Sequence, residues 1–168
     1  RVVIDPAVET QEWGGVTRFT WNRGHWSIQD GAIHAHSARD ADAWTGNAYL
    51  RDVRVKAEIT PLAGRSALIS ARVQGTSRFY AAGFEGDEVV IVRENHGSTV
   101  LARAPFAVTH GQRYALELSV IGDEIALKVD GRELLTGSDA MFRYGMAGVR
   151  MASGGRMLVH RLEVEDFV

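Results

Sequence analysis

The sequence predicts an all-β domain, an antiparallel two-sheet β-sandwich of the jelly-roll type, and three observations carry that reading. Residues 113–135, RYALELSVIGDEIALKVDGRELL, hold two runs of strict apolar/polar alternation, joined by Gly122-Asp123-Glu124 and closed by Asp130-Gly131. Glycine-rich turns recur through the rest of the chain and divide it into about ten to thirteen short strands. Helical periodicity is absent over any convincing length, and only Ser138 to Arg143 reads as a single turn.

The N-terminal residues 1–25 read as a segment that packs across the sandwich edge, with Trp13, Trp21 and the adjoining Trp26 as core aromatics. Trp26 to Ile28 and Ala32 to His34 flank Asp30-Gly31, a dipeptide suited to the positive φ angles of a tight hairpin turn. Ala38 to Asn47 is small, polar and irregular, which predicts a loop carrying one large aromatic, Trp44. Val53, Val55, Ala57 and Ile59 alternate with Arg54, Lys56 and Glu58, a strand with one wet face that Pro61 to Gly64 ends. Ala67 to Gln74 and Phe79 to Phe84 form the next pair around Gly75 to Ser77, and Val89 to Glu94 follows Gly86-Asp87-Glu88. After the alternating pair come Gly145, Gly148 and Gly154-Gly155, then a last strand from Met157 to Val168. There is no blade-length repeat of the kind a propeller requires.

At 168 residues the chain fits one domain, 1–168, large enough to need no metal or disulfide staple. A formal charge of −2 and a pI near 6.3 give no electrostatic case for nucleic acid or an anionic membrane. Cysteine is absent, which excludes disulfides, thiolate metal sites and a cysteine nucleophile but leaves the compartment open. No stretch approaches the apolar length of a membrane helix. The start at Arg1, with neither an initiator Met nor a signal h-region, predicts a trimmed domain or a mature chain.

Ala43 to Asn47, Arg72 to Gly75, Arg78-Phe79-Tyr80, Gly111 to Tyr114, Val129-Asp130-Gly131 and Gly145 to Gly148 stand in a familiar order and spacing. The chain resembles the concanavalin A-like (laminin G-like) jelly-roll domains, most closely those appended to the C-terminal side of some bacterial ADP-ribosylglycohydrolases. The likeness runs from Trp26 to Phe167, and most of its elements are strand and turn features that any such jelly roll needs. In that family hydrolysis belongs to a separate helical domain with a carboxylate-bound metal pair, and no such segment exists here. The resemblance therefore implies an accessory module whose catalytic partner is another domain of a parent chain. The wider family also includes carbohydrate-binding modules and glycosidases, and the fold does not choose among them.

Sugar-binding surfaces combine aromatic faces, which stack on a pyranose, with planar amides and arginine, which hydrogen-bond vicinal hydroxyls. Trp44, Asn47, Tyr49, Arg72, Gln74 and Tyr80 supply those groups, and strand parity predicts that Arg72, Gln74 and Tyr80 converge on one sheet face below the Trp44 loop. The alternative makes Trp44 and Tyr80 edge-of-core aromatics and Arg72 a solvated or ion-paired strand residue. A glycosidase would need two opposed carboxylates; Glu58, Glu85, Glu94 and Glu117 are available, in no recognisable pairing. A serine nucleophile has no supporting motif. His34 and His36 share a strand face and could begin a metal site with His25, although surface histidines are the simpler reading. No cofactor is required. For a structural calcium clamping the termini, the acids are Asp5, Glu9 and Asp166, with Asp40 and Asp42 as a second set; solvated charge is the alternative for both. Arg72, Arg78 and Arg93 could meet an anionic ligand, but no glycine-rich loop opens onto a helix to cradle a pyrophosphate. The expectation is a non-catalytic glycan-binding or accessory module. A glycoside hydrolase of the same fold and a structural interaction domain without sugar are the alternatives.

Overall fold

In a computed structural model of the protein, residues 1–6 and 20–167 are described. Among them the strands are β1 (Val2–Ile4), β2 (Thr20–Arg23), β3 (His25–Gln29), β4 (Ala32–Ser37), β5 (Ala41–Thr45), β6 (Val53–Ala63), β7 (Ser66–Gly75) and β8 (Arg78–Glu85). They continue with β9 (Glu88–Asn95), β10 (Ser98–Pro105), β11 (Tyr114–Ile121), β12 (Glu124–Val129), β13 (Arg132–Ser138), β14 (Met146–Met151) and β15 (Gly155–Asp166). One sheet runs β13-β12-β11-β6-β15-β4-β3, with β1 added on β15; the other runs β10-β9-β8-β7-β14-β5-β2. The strand pairs are antiparallel, so the two-sheet β-sandwich stands as the sequence predicts.

Alternation decides which side chains enter the core. Val55, Ile59, Leu116, Leu118, Ile125 and Leu127 of the first sheet face Ile69, Tyr80, Phe84, Ile91 and Val149 of the second in one buried cluster. A second cluster, Leu68, Val73, Phe79, Ala81 and Val90 with Trp44, Val92 and Met146 packed against it, takes the alternate positions of the second sheet and so lies on its outer face. That outer face is apolar and recessed. The outer face of the first sheet is instead charged, with Arg54, Lys56, Glu58, Glu117 and Lys128 in register across β6, β11 and β12.

Several expectations are corrected. The segment expected as a loop around Trp44 contains a strand, β5, because it fills the gap between β14 and β2. The strands β10 and β14 lacked alternation strong enough to be predicted. Pro61 does not end β6, which continues to Ala63. β11 has already ended there, so the proline lies where β6 pairs only with β15, and its carbonyl accepts the Gly111 N–H at 2.8 Å. Ser138 to Arg143 forms no helical turn; Asp139 instead accepts the Met141 N–H through its side chain at 3.0 Å. Trp21 and Trp26 stack 5.4 Å apart against the core, while Trp13 lies outside the described residues.

Candidate ligand-binding face

The outer face of the second sheet is built in rows. Register places Asp42, Arg150, Leu68, Gly83 and Val90 side by side across β5, β14, β7, β8 and β9. Trp44, Gly148, Ser70, Ala81 and Val92 make the row two residues further on, and Phe79 and Glu94 pair beyond them. Short side chains at Gly83, Gly148, Ser70 and Ala81 keep the middle of this face low. On this face lies a cleft of about 300 Å³ whose lining includes Phe79, Val92, Glu94, Ser98, Glu85 and Arg150.

Arg150 is the charged group of this cleft. Its guanidinium carbon stands 4.6 Å from the centre of the Phe79 ring, and Nη2 is 3.5 Å from Asp40 Oδ2. Asp42 is engaged elsewhere, accepting from Asn22 Nδ2 at 2.8 Å and Arg23 Nη2 at 2.6 Å. Arg150 Nη1 is consequently buried 3.9 Å from Asp42 Oδ2 without a hydrogen bond, and Ser70 Oγ is buried without a partner on the same face. Burial lowers the Arg150 pKa against the pull of Asp40 and Asp42, and burial likewise raises that of Glu85. Arg150 over the Phe79 ring, with Glu94 and Ser98 in the same lining, sets polar groups beside an aromatic face.

The residues singled out in the sequence divide between this face, its rim and the core. Trp44 is half-buried on the outer cluster. Asn47 and Tyr49 lie in the loop after β5, where Asn47 Oδ1 accepts the Tyr49 N–H at 2.8 Å and the Tyr49 side chain is 83% exposed. Gln74 Nε2 donates to Tyr144 O at 3.0 Å, and Gly145 N–H to Leu50 O at 3.0 Å, so these loops gather at one end of the sandwich.

Arg72 and Tyr80 do not join them on an open face; they are 3% and 0% exposed. The reason is an irregularity in β7. Ala71 pairs with Tyr80 but the next registered pair is Gly75 with Arg78, and Arg72 takes φ +48° within the bulge. Its side chain turns inward to donate to Arg51 O and Phe142 O at 2.9 Å each and to Asp52 Oδ1 at 3.2 Å. Tyr80 keeps ordinary alternation and faces the core, where its hydroxyl donates to Asp139 at 2.5 Å and accepts the Phe142 N–H at 3.1 Å. Burial, then the Asp139 bond, pushes the Tyr80 hydroxyl up to about 12. Burial alone would raise Asp139, but bonds from Tyr80, the Met141 amide and Arg93 together hold it below the usual carboxylate range.

The calcium acids are not brought together. With Val2 opposite Val164 and Ile4 opposite Leu162, Asp5 and Asp166 fall at opposite ends of the β1–β15 pair, about 17 Å apart at ~3.4 Å per residue. Asp5 lies 3.9 Å from Arg161 and Asp166 3.8 Å from the terminal amine, while Glu9 lies outside the described residues. Asp40 and Asp42 are taken up by Arg23 and Arg150. No group of three metal-ligating side chains occurs among the described residues. The acids expected for a glycosidase also separate. Glu94 is opposite Phe79, six residues along β8 from Glu85, about 20 Å at the same rise. Glu58 and Glu117 lie on the other sheet, beside a depression of about 340 Å³, where Glu117 is within 3.9 Å of Arg54, 3.7 Å of Lys56 and 3.5 Å of Lys128.

Sequence reasoning passed over Phe79, Ser70 and Arg150. The available signal was Arg150 itself, a lone charge between Val149 and Met151 in a short apolar strand. Such a residue is rarely buried without a partner or a purpose.

No family model matches the sequence, and no curated protein sequence matches it. Solved structures do share its fold. The carbohydrate-binding module CBM66 from Bacillus subtilis superposes with a TM-score of 0.79 at 21% identity, over 89% of this chain and 96% of that one. The exoplasmic/lumenal domain of VIP36 in its Ca2+/Man-bound form gives a TM-score of 0.74 at 10% identity, over 99% and 90%. The galectin LEC-6 of Caenorhabditis elegans gives 0.55 at 17%, over 90% and 99%. The protein thus shares the two-sheet β-sandwich fold of these structures, consistent with the concanavalin A-like jelly roll that the sequence resembles.

Proposed function

We propose that this chain is a non-catalytic glycan-binding module whose ligand lies on the outer face of the second sheet. The observation that carries the proposal is the recess in which the Arg150 guanidinium stands over the Phe79 ring above an apolar floor. The polar lining of Glu85, Glu94, Ser98 and Arg150 meets sugar hydroxyls, and the apolar floor of Leu68, Val90 and Val92 accepts a sugar's C–H face. Trp44 extends the face, and Asn47, Tyr49 and Gln74 form its rim, reached by a longer chain. Arg72 and Tyr80 act as supports from beneath. That a carbohydrate-binding module and a mannose-bound lectin domain share the fold agrees with this reading. An accessory role beside a catalytic domain fits a module of this kind. Hydrolysis is not favoured, because the backbone positions of the two glutamates lining the recess are about 20 Å apart along the strands, unlike the close-set carboxylate pair of glycosidases.

A glycan array followed by affinity electrophoresis tests the proposal. The expected outcome is binding that weakens about tenfold or more in Phe79→Ala and Arg150→Ala and less in Tyr49→Ala, with unchanged melting temperature in Tyr49→Ala. Retention of full binding in both recess variants would overturn the site. Turnover of an aryl glycoside lost with Glu85→Gln or Glu94→Gln would overturn the non-catalytic assignment.

A further inference from the structure

The outer face of the first sheet carries, at its β3 edge, four of the six histidines of the chain: His25, His34, His36 and His160. Two of them are engaged. His34 Nε2 meets Gln29 O at 3.2 Å, and His160 Nε2 meets Thr60 Oγ1 at 2.7 Å. His25 and His36 are different. They are directly opposite each other in the β3–β4 hairpin, their rings stack with centroids 4.8 Å apart and planes 18° from parallel, and both are exposed. Apart from this stacking, neither ring has a partner among the described residues.

We infer that His25 and His36 form a two-imidazole chelate for a borderline transition metal ion such as Cu2+ or Ni2+. Directly opposed residues on antiparallel strands have Cβ atoms about 4.5–5.5 Å apart, so two imidazoles can reach one ion at about 2.0–2.1 Å by side-chain rotation alone. His34 and His36, two residues apart on one strand, are about 7 Å apart and cannot converge as closely. The hairpin turn preorganises the chelate. Asp30 at φ 52° and Gly31 at φ 74° form a two-residue turn with both angles positive, which locks the register that sets His25 against His36.

The surrounding charge narrows the choice of ion. Arg156 is opposite His36 on β15, and Arg23 and Arg39 line the concavity beside His25. Among the described residues lining it the carboxylate is Asp40, which lies 3.7 Å from Arg23 and 3.5 Å from Arg150. A cation gains nothing from this field and must be held by ligation, which excludes Ca2+ and Mg2+ and favours ions with high imidazole affinity. Water completes the coordination, so the ion is exchangeable.

Calorimetric titration of the tag-free chain with Ni2+ and with Cu2+ tests the inference, alongside amide NMR spectra recorded with substoichiometric Cu2+. The expected result is one ion per chain and paramagnetic broadening centred on β3 and β4. Binding weakens about tenfold or more in His25→Asn and in His36→Asn and is retained in His34→Asn and His160→Asn. Because His25 and His36 are exposed, their melting temperatures without metal stay at the wild-type value. No binding by the wild-type chain, or equal loss in His34→Asn, overturns the chelate.

Discussion

Tyr80 shows how far one side chain can depart from its apparent role. Its sequence context suggests a ligand-facing aromatic, yet its hydroxyl ties Asp139 and the Phe142 amide to the core. Tyr80→Phe keeps the ring, including its edge contact with Phe142, and leaves that buried N–H unsatisfied. The expected cost is about 1–3 kcal/mol, read from the urea midpoint. Asp139 carries the pH dependence of the same network. Its pKa is lower in the folded than in the unfolded chain, so its stabilisation is complete well above 3.8 and is lost as pH falls through the folded value. Asp139→Asn should be less stable at neutral pH and show a flatter acid limb below about pH 4, measured by melting temperature against pH. An acid limb as steep as that of the parent would show that other carboxylates dominate it.

At the scale of the element, the bulge in β7 and the glycine of β14 do most to shape the candidate face. After the bulge, Val73 lies on the same side as Leu68 instead of returning to the interior, which completes the apolar floor. In β14, a Cβ at Gly148 would collide with the Ala43 carbonyl of β5. Gly148→Ala must therefore push apart two paired strands in the middle of a sheet. It is expected to cost at least the upper end of the about 1–3 kcal/mol seen for overpacking and to reduce glycan binding through the displaced Arg150. A variant with native melting temperature would show that the strands separate more easily than their packing implies. Much of this level was legible in advance: the β3–β4 and β11–β12 hairpins follow from alternation and turn chemistry. β10 and β14 were not legible, since β10 lacks clean alternation and β14 is short and, Arg150 apart, without polar positions to mark a period.

Considered whole, the molecule presents two unlike sheet faces. One is a lattice of ion pairs such as Lys128 to Glu117 and Arg54 to Glu165, in which opposite charges alternate and cancel. Exposed pairs of this sort add little stability individually. The other is recessed, apolar and punctuated by buried arginine. Glu117→Gln and Lys128→Ala should leave glycan affinity unchanged in the electrophoretic assay, whereas an effect as large as that of Arg150→Ala would move the site to the opposite sheet. With Asp5 and Asp166 separated and each beside a cation, EDTA should leave the melting temperature unaltered; a fall restored by added Ca2+ would reveal a clamp built from other oxygens.

The sequence by itself determined the all-β class, the antiparallel pairing of its clearest strands and the absence of chemistry that depends on cysteine. Those properties are local, set by period-2 alternation and by the φ angles that glycine and aspartate accept in turns. It also contained Trp44, Asn47, Tyr49 and Gln74, which the tertiary structure leaves on or beside the candidate face. Only the tertiary structure decided which polar groups are buried and which face is recessed. It turned Arg72 inward at a bulge, committed Tyr80 to the core, set His25 against His36 and left Arg150 unsatisfied above Phe79. Each of these depends on register between strands distant in sequence, and no short stretch of residues encodes a contact whose two halves lie 70 positions apart, as do Arg72 and Phe142.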